Sequence, residues 1–437
     1  MDWQVVLALF GSFAVLLALG VPVSFAIGLS SLLAIMMTLP MEAAITVVAQ
    51  RMAVGVDNFS LLAIPFFILA GNIMNQGGIA ARLINLAKVM GGRLPGSLVH
   101  VNIIANMFFG AISGSAVASA AAVGGTMAPM QKKEGYEPEY SAAVNIASCP
   151  AGLLIPPSNT LIVYSLVSGG TSIAALFLAG YIPGILMGVS LMIVAAIIAK
   201  RRGYPVSPKP TWNEFFTTLV RALPSLMLVV VIMGGIIAGI FTATEASAIA
   251  VLYSFILAVL IYREVSITKL PKIILDSAVT TSIVLLLIGA SMGMSWAMAN
   301  ADLPYLIADA LMAVSENPLV ILLVINLILL LVGTFMDMTP AILIFTPIFL
   351  PVAQNMGVDP VHFGIIMTFN LAIGICTPPV GSALFVGCSI GEVSINKVLK
   401  PLVPMYCALV IALMLVTFIP QLSLWLPQML LNYSAFK

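Results

Sequence analysis

The chain has 437 residues, of which 61% are hydrophobic and only 8% are charged, and its formal net charge is +1. Soluble domains carry a charge on about a quarter of their residues, so this composition excludes a soluble globular protein and indicates a polytopic membrane protein. A net charge this close to zero gives no attraction for nucleic acid, which we do not expect as a partner. The four cysteines lie in apolar segments without the spacing of a metal site.

Apolar segments long enough to cross a membrane follow one another along the whole chain. A helix needs about 20 apolar residues to cross a bilayer. The first segment has no cationic flank and no cleavage site, so we expect a retained span rather than a signal peptide. The predicted spans are residues 4–20, 22–39, 60–76, 139–168, 175–199, 223–241, 244–262, 276–298, 361–391 and 402–420.

Two further apolar segments are interrupted near their middle. Residues 96–131 contain "GAISGSA" at 110–116, and residues 318–354 contain "GTFMDMTP" at 333–340. Each segment is long enough for two half-crossings, and the glycines at its centre permit a tight turn. We therefore predict two re-entrant helical hairpins.

Two of the predicted spans contain helix-breaking residues. Span 139–168 holds consecutive prolines at 156–157, and span 361–391 holds another pair at 378–379. A proline removes one backbone donor and clashes with the preceding turn, and in hydrocarbon every freed backbone group needs a partner. We predict that both spans are broken helices with open backbone at the break.

Helix-breaking residues recur at a constant offset of 222 positions, without a gap. Chance does not give such a run, so we predict an internal duplication with a first repeat at 1–204 and a second at 223–437. Between them, residues 205–222 are predicted to lie along the cytoplasmic interface as an amphipathic connector. Besides the two proline pairs, the matched residues are Pro129 and Pro351, Gly135 and Gly357, Pro138 and Pro360, and Gly152 and Gly374.

The charges around the two hairpins predict their orientation. Each repeat has an odd number of crossings if its hairpin is re-entrant, so the repeats must be inverted. Because cytoplasmic loops are rich in Lys and Arg, we predict a first hairpin entering from the cytoplasm, a second entering from the periplasm, and a periplasmic N-terminus. Basic residues flank the first hairpin (Arg82, Lys88, Arg93, Lys132 and Lys133), and acidic residues flank the second (Asp302, Asp309, Glu316 and Asp359).

Inverted repeats with paired hairpins and broken helices are typical of secondary transporters, whose site lies near the membrane midplane. Free carbonyls at a break bind a cation, and free amides bind an anion. We predict sodium at both hairpin–break junctions and substrate between them, although small residues there would also serve tight helix packing. The predicted sodium ligands are Ser113, Ser115, Gly152, Ile155 and Pro157 at site 1, and Gly333, Asp337, Gly374, Thr377 and Val380 at site 2. The predicted substrate-binding residues are Gly114, Ser158, Asn159, Gly381 and Ser382.

Four ionisable residues are further candidates. Asp337 would either help hold sodium or cap the following half-helix, and the sequence leaves both open. Glu245, near the end of a span, is either a solvated cap or, as we expect, a residue that fixes a hinge or a domain contact rather than one that touches the ligand. His100 and His362 lie outside the breaks and are expected at the membrane interface rather than in catalysis.

Four motifs, "LIPPSN" (154–159), "ICTPPVG" (375–381), "GTFMDMTP" (333–340) and "GIFTATEA" (239–246), resemble the large membrane subunit of TRAP transporters, the tripartite ATP-independent periplasmic carriers. The resemblance covers essentially the whole chain. One departure is Ala243, where the family usually has a proline.

The resemblance implies a bacterial inner-membrane protein in which a transport domain moves as an elevator against a scaffold, driven by sodium. It also implies a small membrane (Q) subunit, here expected as a separate chain, and a periplasmic binding protein that delivers an organic acid. Sialic acids and C4-dicarboxylates are both substrates of the family. Beyond the coupling sodium ions, no cofactor is implied.

Other functions remain as alternatives at this point. An intramembrane hydrolase built from Ser115 and His100 is disfavoured, because 15 helical residues separate the two by roughly 22 Å. A primary pump would need a phosphate-binding loop with a Gly-Lys pair, which the sequence lacks. A channel, or a sodium–anion symporter that works without a binding protein, stays open. We expect a transporter rather than an enzyme.

Overall fold

The structure, a computed structural model, describes residues 3–92, 94–206, 211–315 and 317–434. Two charged residues of the orientation argument, Arg93 and Glu316, lie outside the described residues, as do residues 207–210 of the predicted connector. Throughout the described ranges the regular structure is helical, with 21 α-helices.

The first repeat contains helices α1 to α11, with a 3₁₀-helix at Phe59–Leu62 between α3 and α4. They are α1 (Trp3–Ala18), α2 (Val23–Met36), α3 (Met41–Val56), α4 (Ala63–Gln76), α5 (Ile79–Gly91), α6 (Ser97–Ser113), α7 (Ala116–Lys133), α8 (Pro138–Ser148), α9 (Ala151–Leu154), α10 (Asn159–Val167) and α11 (Ile173–Arg202).

The second repeat contains helices α12 to α21, with a π-helix at Ile256–Ile261 and a 3₁₀-helix at Ile267–Lys269. The α-helices are α12 (Trp212–Ile237), α13 (Ala243–Phe255), α14 (Leu270–Asn300), α15 (Leu303–Val314), α16 (Pro318–Phe335), α17 (Met338–Asn355), α18 (Pro360–Gly374), α19 (Ser382–Gly391), α20 (Ile395–Phe418) and α21 (Gln421–Leu431).

By length and composition, eight helices within the described residues could each cross a membrane. A ninth crossing is formed if Pro138–Leu154 and Asn159–Val167, which meet at an angle of 52°, are counted as one bent span. The two predicted hairpins are α6–α7 and α16–α17, and the two predicted broken helices are α8–α10 and α18–α19. The fold class predicted from the sequence is confirmed.

The hairpins and broken helices interlock. Each hairpin packs against the broken helix of its own repeat, α6 on α8 and α9, and α16 on α18. The second arm of each hairpin also packs against the far half of the other broken helix, α17 on α10 and α7 on α19. The breaks of both repeats are therefore held in one compact group, which positions the site.

Buried amides fasten this group. Asn106 Nδ2 on α6 donates hydrogen bonds to Asn145 Oδ1 at 3.1 Å and to Ser148 Oγ at 2.8 Å on α8. In the second repeat, Asn370 Nδ2 on α18 donates to Asn326 Oδ1 on α16 at 2.8 Å. Buried polar groups must be paired, so these bonds fix each hairpin in one register on its broken helix.

The described part of the predicted connector is helical, and its placement along the cytoplasmic interface stays a prediction. Thr211 and Glu214 form a capping box, and α12 then runs unbroken from Trp212 to Ile237. The described residues 211–222 are therefore helical from Trp212 and lead directly into the following span, whose Pro224 removes one backbone donor just after them. Exposed aromatic side chains do line these turns, with Trp212 79% and Phe216 57% accessible.

The two repeats also differ where one long helix of the second repeat corresponds to two helices of the first. Helix α14 is continuous over 31 residues. In the first repeat, α3 ends at Val56, and Asn58 caps a 3₁₀-helix by accepting a hydrogen bond from the Ser60 amide at 2.9 Å. An Asn side chain that bonds the backbone two residues ahead favours a turn over a helix.

Candidate functional site

At the first hairpin–break junction, two glycines bring helix backbones into contact. A Cβ atom placed on Gly152 of α9 would lie 2.2 Å from the Cα of Gly110 on α6. A Cβ on Gly110 would lie 2.7 Å from the Cα of Gly152. Real Cβ atoms essentially never approach so closely, so only glycine fits at either position. The sequence predicted Gly152 for this junction and missed Gly110.

The second junction repeats this contact. A Cβ on Gly374 of α18 would lie 2.5 Å from the Cα of Gly333 on α16, and one on Gly333 would lie 3.0 Å from the Cα of Gly374. Gly152 and Gly374 are 222 residues apart, whereas Gly110 and Gly333 are 223 apart. That one-residue shift is why a gapless comparison of the repeats did not pair the hairpin glycines.

Both breaks leave short non-helical stretches beside these contacts. In the first repeat, helix ends at Leu154 and resumes at Asn159, and the Pro156–Pro157 peptide bond is cis. In the second, helix ends at Gly374 and resumes at Ser382, again around a cis proline pair. The Val380 amide donates to the Thr334 carbonyl at 3.1 Å, which ties the second break to its hairpin.

The first junction contains polar groups without a protein partner. Ser115 caps α7, its Oγ accepting a hydrogen bond from the Ala118 amide at 3.2 Å. Ser113 Oγ lies 3.4 Å from the Ser115 carbonyl oxygen. Within the described part of the chain, Ser158 Oγ and Asn159 Oδ1 are buried and have no hydrogen-bond partner. Unpaired buried oxygens call for a ligand, an ion or water.

The second junction carries a charge. Asp337 occupies the N-cap position of α17, and its Oδ1 accepts a hydrogen bond from Ser382 Oγ of α19 at 3.4 Å. Thr377 Oγ1 donates to the Ile373 carbonyl at 2.8 Å, which leaves its lone pairs available to a cation. A cavity of about 70 Å³ lies here, lined in part by the predicted residues Gly333, Asp337, Val380, Gly381 and Ser382.

Between the junctions lies a larger cavity of about 340 Å³, and both hairpin tips open into it. Of the described residues that line it, Asp337 alone is ionisable. Six of the predicted site residues are brought together there: Ser113, Gly114, Ser115, Asn159, Asp337 and Ser382. The others, including Gly152, Ile155, Pro157, Ser158 and Thr377, do not line it and lie at or behind the breaks.

Four helices begin at this cavity. The first residues of α7, α10, α17 and α19 are Ala116, Asn159, Met338 and Ser382, and all four line it. The first amides of a helix lack intrahelical partners and carry a partial positive charge. Helix C-terminal ends are present as well, at Ser113 of α6, Leu153 of α9 and the cap residue Ile375 of α18. The arrangement suits an anion in the cavity and cations at its margins.

Sequence reasoning missed the contribution of helices outside the breaks. Asn72 and Asn75 of α4, and Thr280 of α14, also line the cavity. Asn72 Nδ2 donates a hydrogen bond to Ser277 Oγ of α14 at 2.8 Å. Two asparagines three residues apart in an apolar span were the signal that would have identified this face, since polar residues within a membrane helix rarely face lipid.

The remaining candidates are structural. Glu245 forms a capping box with Thr242, which supports the helix-cap alternative, and its expected role at a hinge or a domain contact stays a prediction. Ala243 is the first residue of that helix, a position where proline is tolerated but not needed. Both histidines are buried in the protein, with Nε2 of His100 and of His362 bonded to the carbonyls of Pro95 and Thr417, and their expected position at the membrane interface stays a prediction.

Paired hairpins, paired broken helices and a central polar cavity define a polytopic membrane protein of the secondary-transporter class. The sequence profile of the tripartite ATP-independent periplasmic transporter family, DctM component, matches residues 10–422, and the chain belongs to this family. It is therefore a large permease component of a TRAP transporter, as the resemblance indicated.

Named relatives share nearly the full length. The uncharacterized protein YgiK of Salmonella typhimurium is 66% identical, with 97% of each chain covered. The sialic acid TRAP transporter large permease protein SiaM of Vibrio cholerae is 40% identical, covering 98% of this chain and 99% of SiaM. The crystal structure of the YdaH transporter of Alcanivorax borkumensis shares the fold, with a TM-score of 0.63 at 12% identity over 86% of this chain and 88% of that one.

Proposed function

We propose that this permease couples sodium entry to the import of an organic acid anion, which binds in the central cavity. The observation that carries the proposal is the convergence of four helix N-termini on one cavity that both hairpin tips enter. Helix N-termini attract anions without a basic side chain. An organic carboxylate would be held there by backbone amides and by the hydroxyl and amide groups of Ser115, Asn159 and Ser382.

Sodium would bind at the two glycine junctions. A hard monovalent cation needs several oxygen ligands, and each junction offers helix-terminal carbonyls beside a hydroxyl or carboxylate. At site 1 these would be the carbonyls around Gly152 and Ile155 with Ser113 and Ser115, and at site 2 those around Gly374 with Thr377 and Asp337. Bound sodium fixes the hairpin tips and so favours substrate binding, and each ligand raises the affinity for the other by the same factor.

The family name supports the remaining parts of the proposal. In a tripartite periplasmic transporter, two further components act with the large permease. We infer that a small membrane subunit takes part, and that a periplasmic protein delivers the substrate to an inner-membrane permease with a periplasmic N-terminus. Because hairpins and broken helices form one interlocked group, that group would move as a unit against α1–α4 and α12–α14, in the manner of an elevator.

The substrate is proposed as a class. SiaM is named a sialic acid transporter permease, and a sialic acid carries both a carboxylate and several hydroxyls. Asn72, Asn75 and Thr280 also line the cavity, and they would bind hydroxyl groups. A C4-dicarboxylate would place a second carboxylate near this neutral polar face, so a hydroxylated monocarboxylate suits the cavity better.

The test is uptake by the complete transporter reconstituted in proteoliposomes. We expect a radiolabelled organic acid to accumulate, saturably, when sodium is higher outside, and not when potassium replaces sodium. Leaving out the binding protein distinguishes a tripartite carrier, whose uptake stops, from a stand-alone symporter, whose uptake continues. Uptake that is indifferent to sodium would overturn the coupling proposal, and flux that never saturates would indicate a channel.

A further inference from the structure

A second large cavity lies far from the transport site, at the end of the molecule where α11 ends and α20 begins. Its volume is about 690 Å³, enough for roughly twenty water molecules. The basic residues that line it are Arg201 and Arg202 from α11 and Lys397 and Lys400 from α20, and the acidic residues are Glu137 and Glu139. Four cations and two carboxylates leave a formal charge of +2.

The acidic residues do not neutralise the cavity. Arg202 forms an ion pair with Glu137 and lies 5.2 Å from the centre of the Tyr140 ring, so it is already engaged. By contrast, no carboxylate of the described residues lies within ion-pair distance of Arg201, Lys397 or Lys400. Three cationic side chains on two helices therefore face one cavity without an ion-pair partner, and Glu139 is the one further carboxylate of the described lining, which leaves the net charge at +2.

Apolar stripes run from the same cavity along both helices. On α11, residues spaced by four lie on the face of Arg201, and Ile193 and Ile197 are 56% and 50% accessible. On α20, Val403 and Ile411 are 56% and 62% accessible, on the face that follows Lys400. Side chains three or four residues apart share a helix face, so each stripe continues its basic residues into the membrane region.

We propose that this cavity binds the headgroup of an anionic phospholipid, with its acyl chains against the stripes on α11 and α20. Charge complementarity explains the three unpaired cations, and the stripes select a lipid over a free phosphate ion. Basic pockets between membrane helices are known places for anionic headgroups. Both helices pack on the interlocked hairpins and broken helices, so the lipid would be held by that group and not by α1–α4 or α12–α14.

The test measures lipid preference and needs no transport, so its failure leaves the proposed function untouched. Cys407 is exposed on the α20 stripe, whereas Cys149, Cys376 and Cys388 are buried, so a fluorophore can be attached there in the otherwise unaltered full chain. We expect phosphatidylglycerol carrying a spin label on its acyl chain to quench the fluorophore at a lower mole fraction than spin-labelled phosphatidylcholine does. Equal quenching by the two lipids would overturn the proposal.

Two double variants test whether the preference for phosphatidylglycerol comes from the basic residues of this cavity. Each basic group near an anionic surface contributes about a fivefold factor in affinity, so Arg201→Gln with Lys400→Gln should reduce the preference about 25-fold or abolish it. The matched control Lys269→Gln with Lys272→Gln removes two exposed cations elsewhere and should leave the preference intact. The same loss in the control would refute a specific site.

A third experiment distinguishes a phospholipid headgroup from free inorganic phosphate as the ligand of the cavity. Inorganic phosphate at constant ionic strength should not displace phosphatidylglycerol if the stripes contribute to binding. If millimolar phosphate abolishes the preference, the cavity is a soluble-anion site and the lipid proposal is wrong. Should the double variant fail to fold, native mass spectrometry of the unaltered chain decides instead: retained phosphatidylglycerol supports the proposal, and retention of only neutral or zwitterionic lipid overturns it.

Discussion

Replacing Gly152 by alanine should disable the first proposed sodium site while leaving the protein folded. The added Cβ would lie 2.2 Å from the Cα of Gly110, and ordinary contact begins at 3.4 Å, so α6 and α9 must separate by the difference, 1.2 Å. The atoms it meets belong to the backbone, so no side chain can rotate away. Binding sites generally tolerate displacements of about 0.5 Å, so carbonyls placed for sodium would lose their geometry.

The cost in stability should be moderate. Overpacking typically costs about 1–3 kcal/mol, and alanine in a helix recovers roughly 0.5–1 kcal/mol relative to glycine. The remainder is small beside a typical unfolding free energy of about 5–15 kcal/mol. We therefore expect a slightly lower unfolding temperature and a strongly raised sodium concentration for half-maximal uptake. Gly374→Ala, whose Cβ would be 2.5 Å from the Cα of Gly333, should show a weaker form of the same defect.

Two glycines elsewhere provide matched controls. A Cβ on Gly125 of α7 or on Gly234 of α12 would meet no atom within 4 Å, so alanine there should leave sodium dependence unchanged. The measurement is sodium-dependent uptake in proteoliposomes, with thermal unfolding of each purified variant as the stability readout. If Gly152→Ala transports like Gly125→Ala at every sodium concentration, the junction does not hold sodium.

Three further predictions address separate parts of the structure. Thr377→Ala should raise the sodium concentration at half-maximal uptake about fivefold, because losing one ligand costs about 1 kcal/mol, as losing one hydrogen bond does. An unchanged sodium concentration would show that Thr377 is not a sodium ligand. For topology, Asn317→Cys should react with an impermeant thiol reagent added outside whereas Lys133→Cys should not, and the reverse pattern would invert the orientation. The Tyr433 hydroxyl donates a hydrogen bond to both carboxylate oxygens of Asp359, at 3.2 and 3.1 Å. Burial and this carboxylate raise the pKa of Tyr433 above its unfolded-state value of about 10, so the hydroxyl is protonated at every pH below about 10. Tyr433→Phe should therefore lower stability by about 1.5–3 kcal/mol equally at pH 6 and pH 9 in thermal unfolding, and a loss confined to one of these pH values would contradict this.

Much of the fold could be predicted because the helix breaks contain prolines, which disrupt a helix wherever they occur inside an apolar span. Proline pairs inside apolar spans dictate interrupted helices, and their 222-residue offset identifies the duplication. The same offset relates Ser115 to Asp337, the N-cap positions of α7 and α17. Helix-breaking and helix-capping residues in the sequence thus indicated where helices end and which helix ends are equivalent in the two repeats.

What the sequence could not supply was the partner of each break. Gly110 contacts Gly152 across 42 residues of chain, and nothing near Gly110 distinguishes it from glycines that merely permit close packing. Asn72 was missed for a related reason, because its importance comes from α4 lying beside the hairpin tip. A Cβ on Gly71 would be 2.9 Å from the Ser113 carbonyl oxygen. Such contacts depend on tertiary packing, and helix-breaking residues in the sequence do not reveal which helices pack together.

The difference between the repeats gives a reason for coupling. Ser115 and Asp337 hold equivalent positions, but only Asp337 brings a charge to the cavity where an anion is proposed to bind. Two negative charges about 6 Å apart repel by roughly 3 kcal/mol at an effective dielectric constant of about 20. No basic side chain among the described lining residues offsets this repulsion, and the helix N-termini alone must oppose it. A sodium ion beside Asp337 would remove the repulsion, so the anion would bind well only after the second site is filled. Coupling would then follow from one carboxylate placed at one of two otherwise matching junctions.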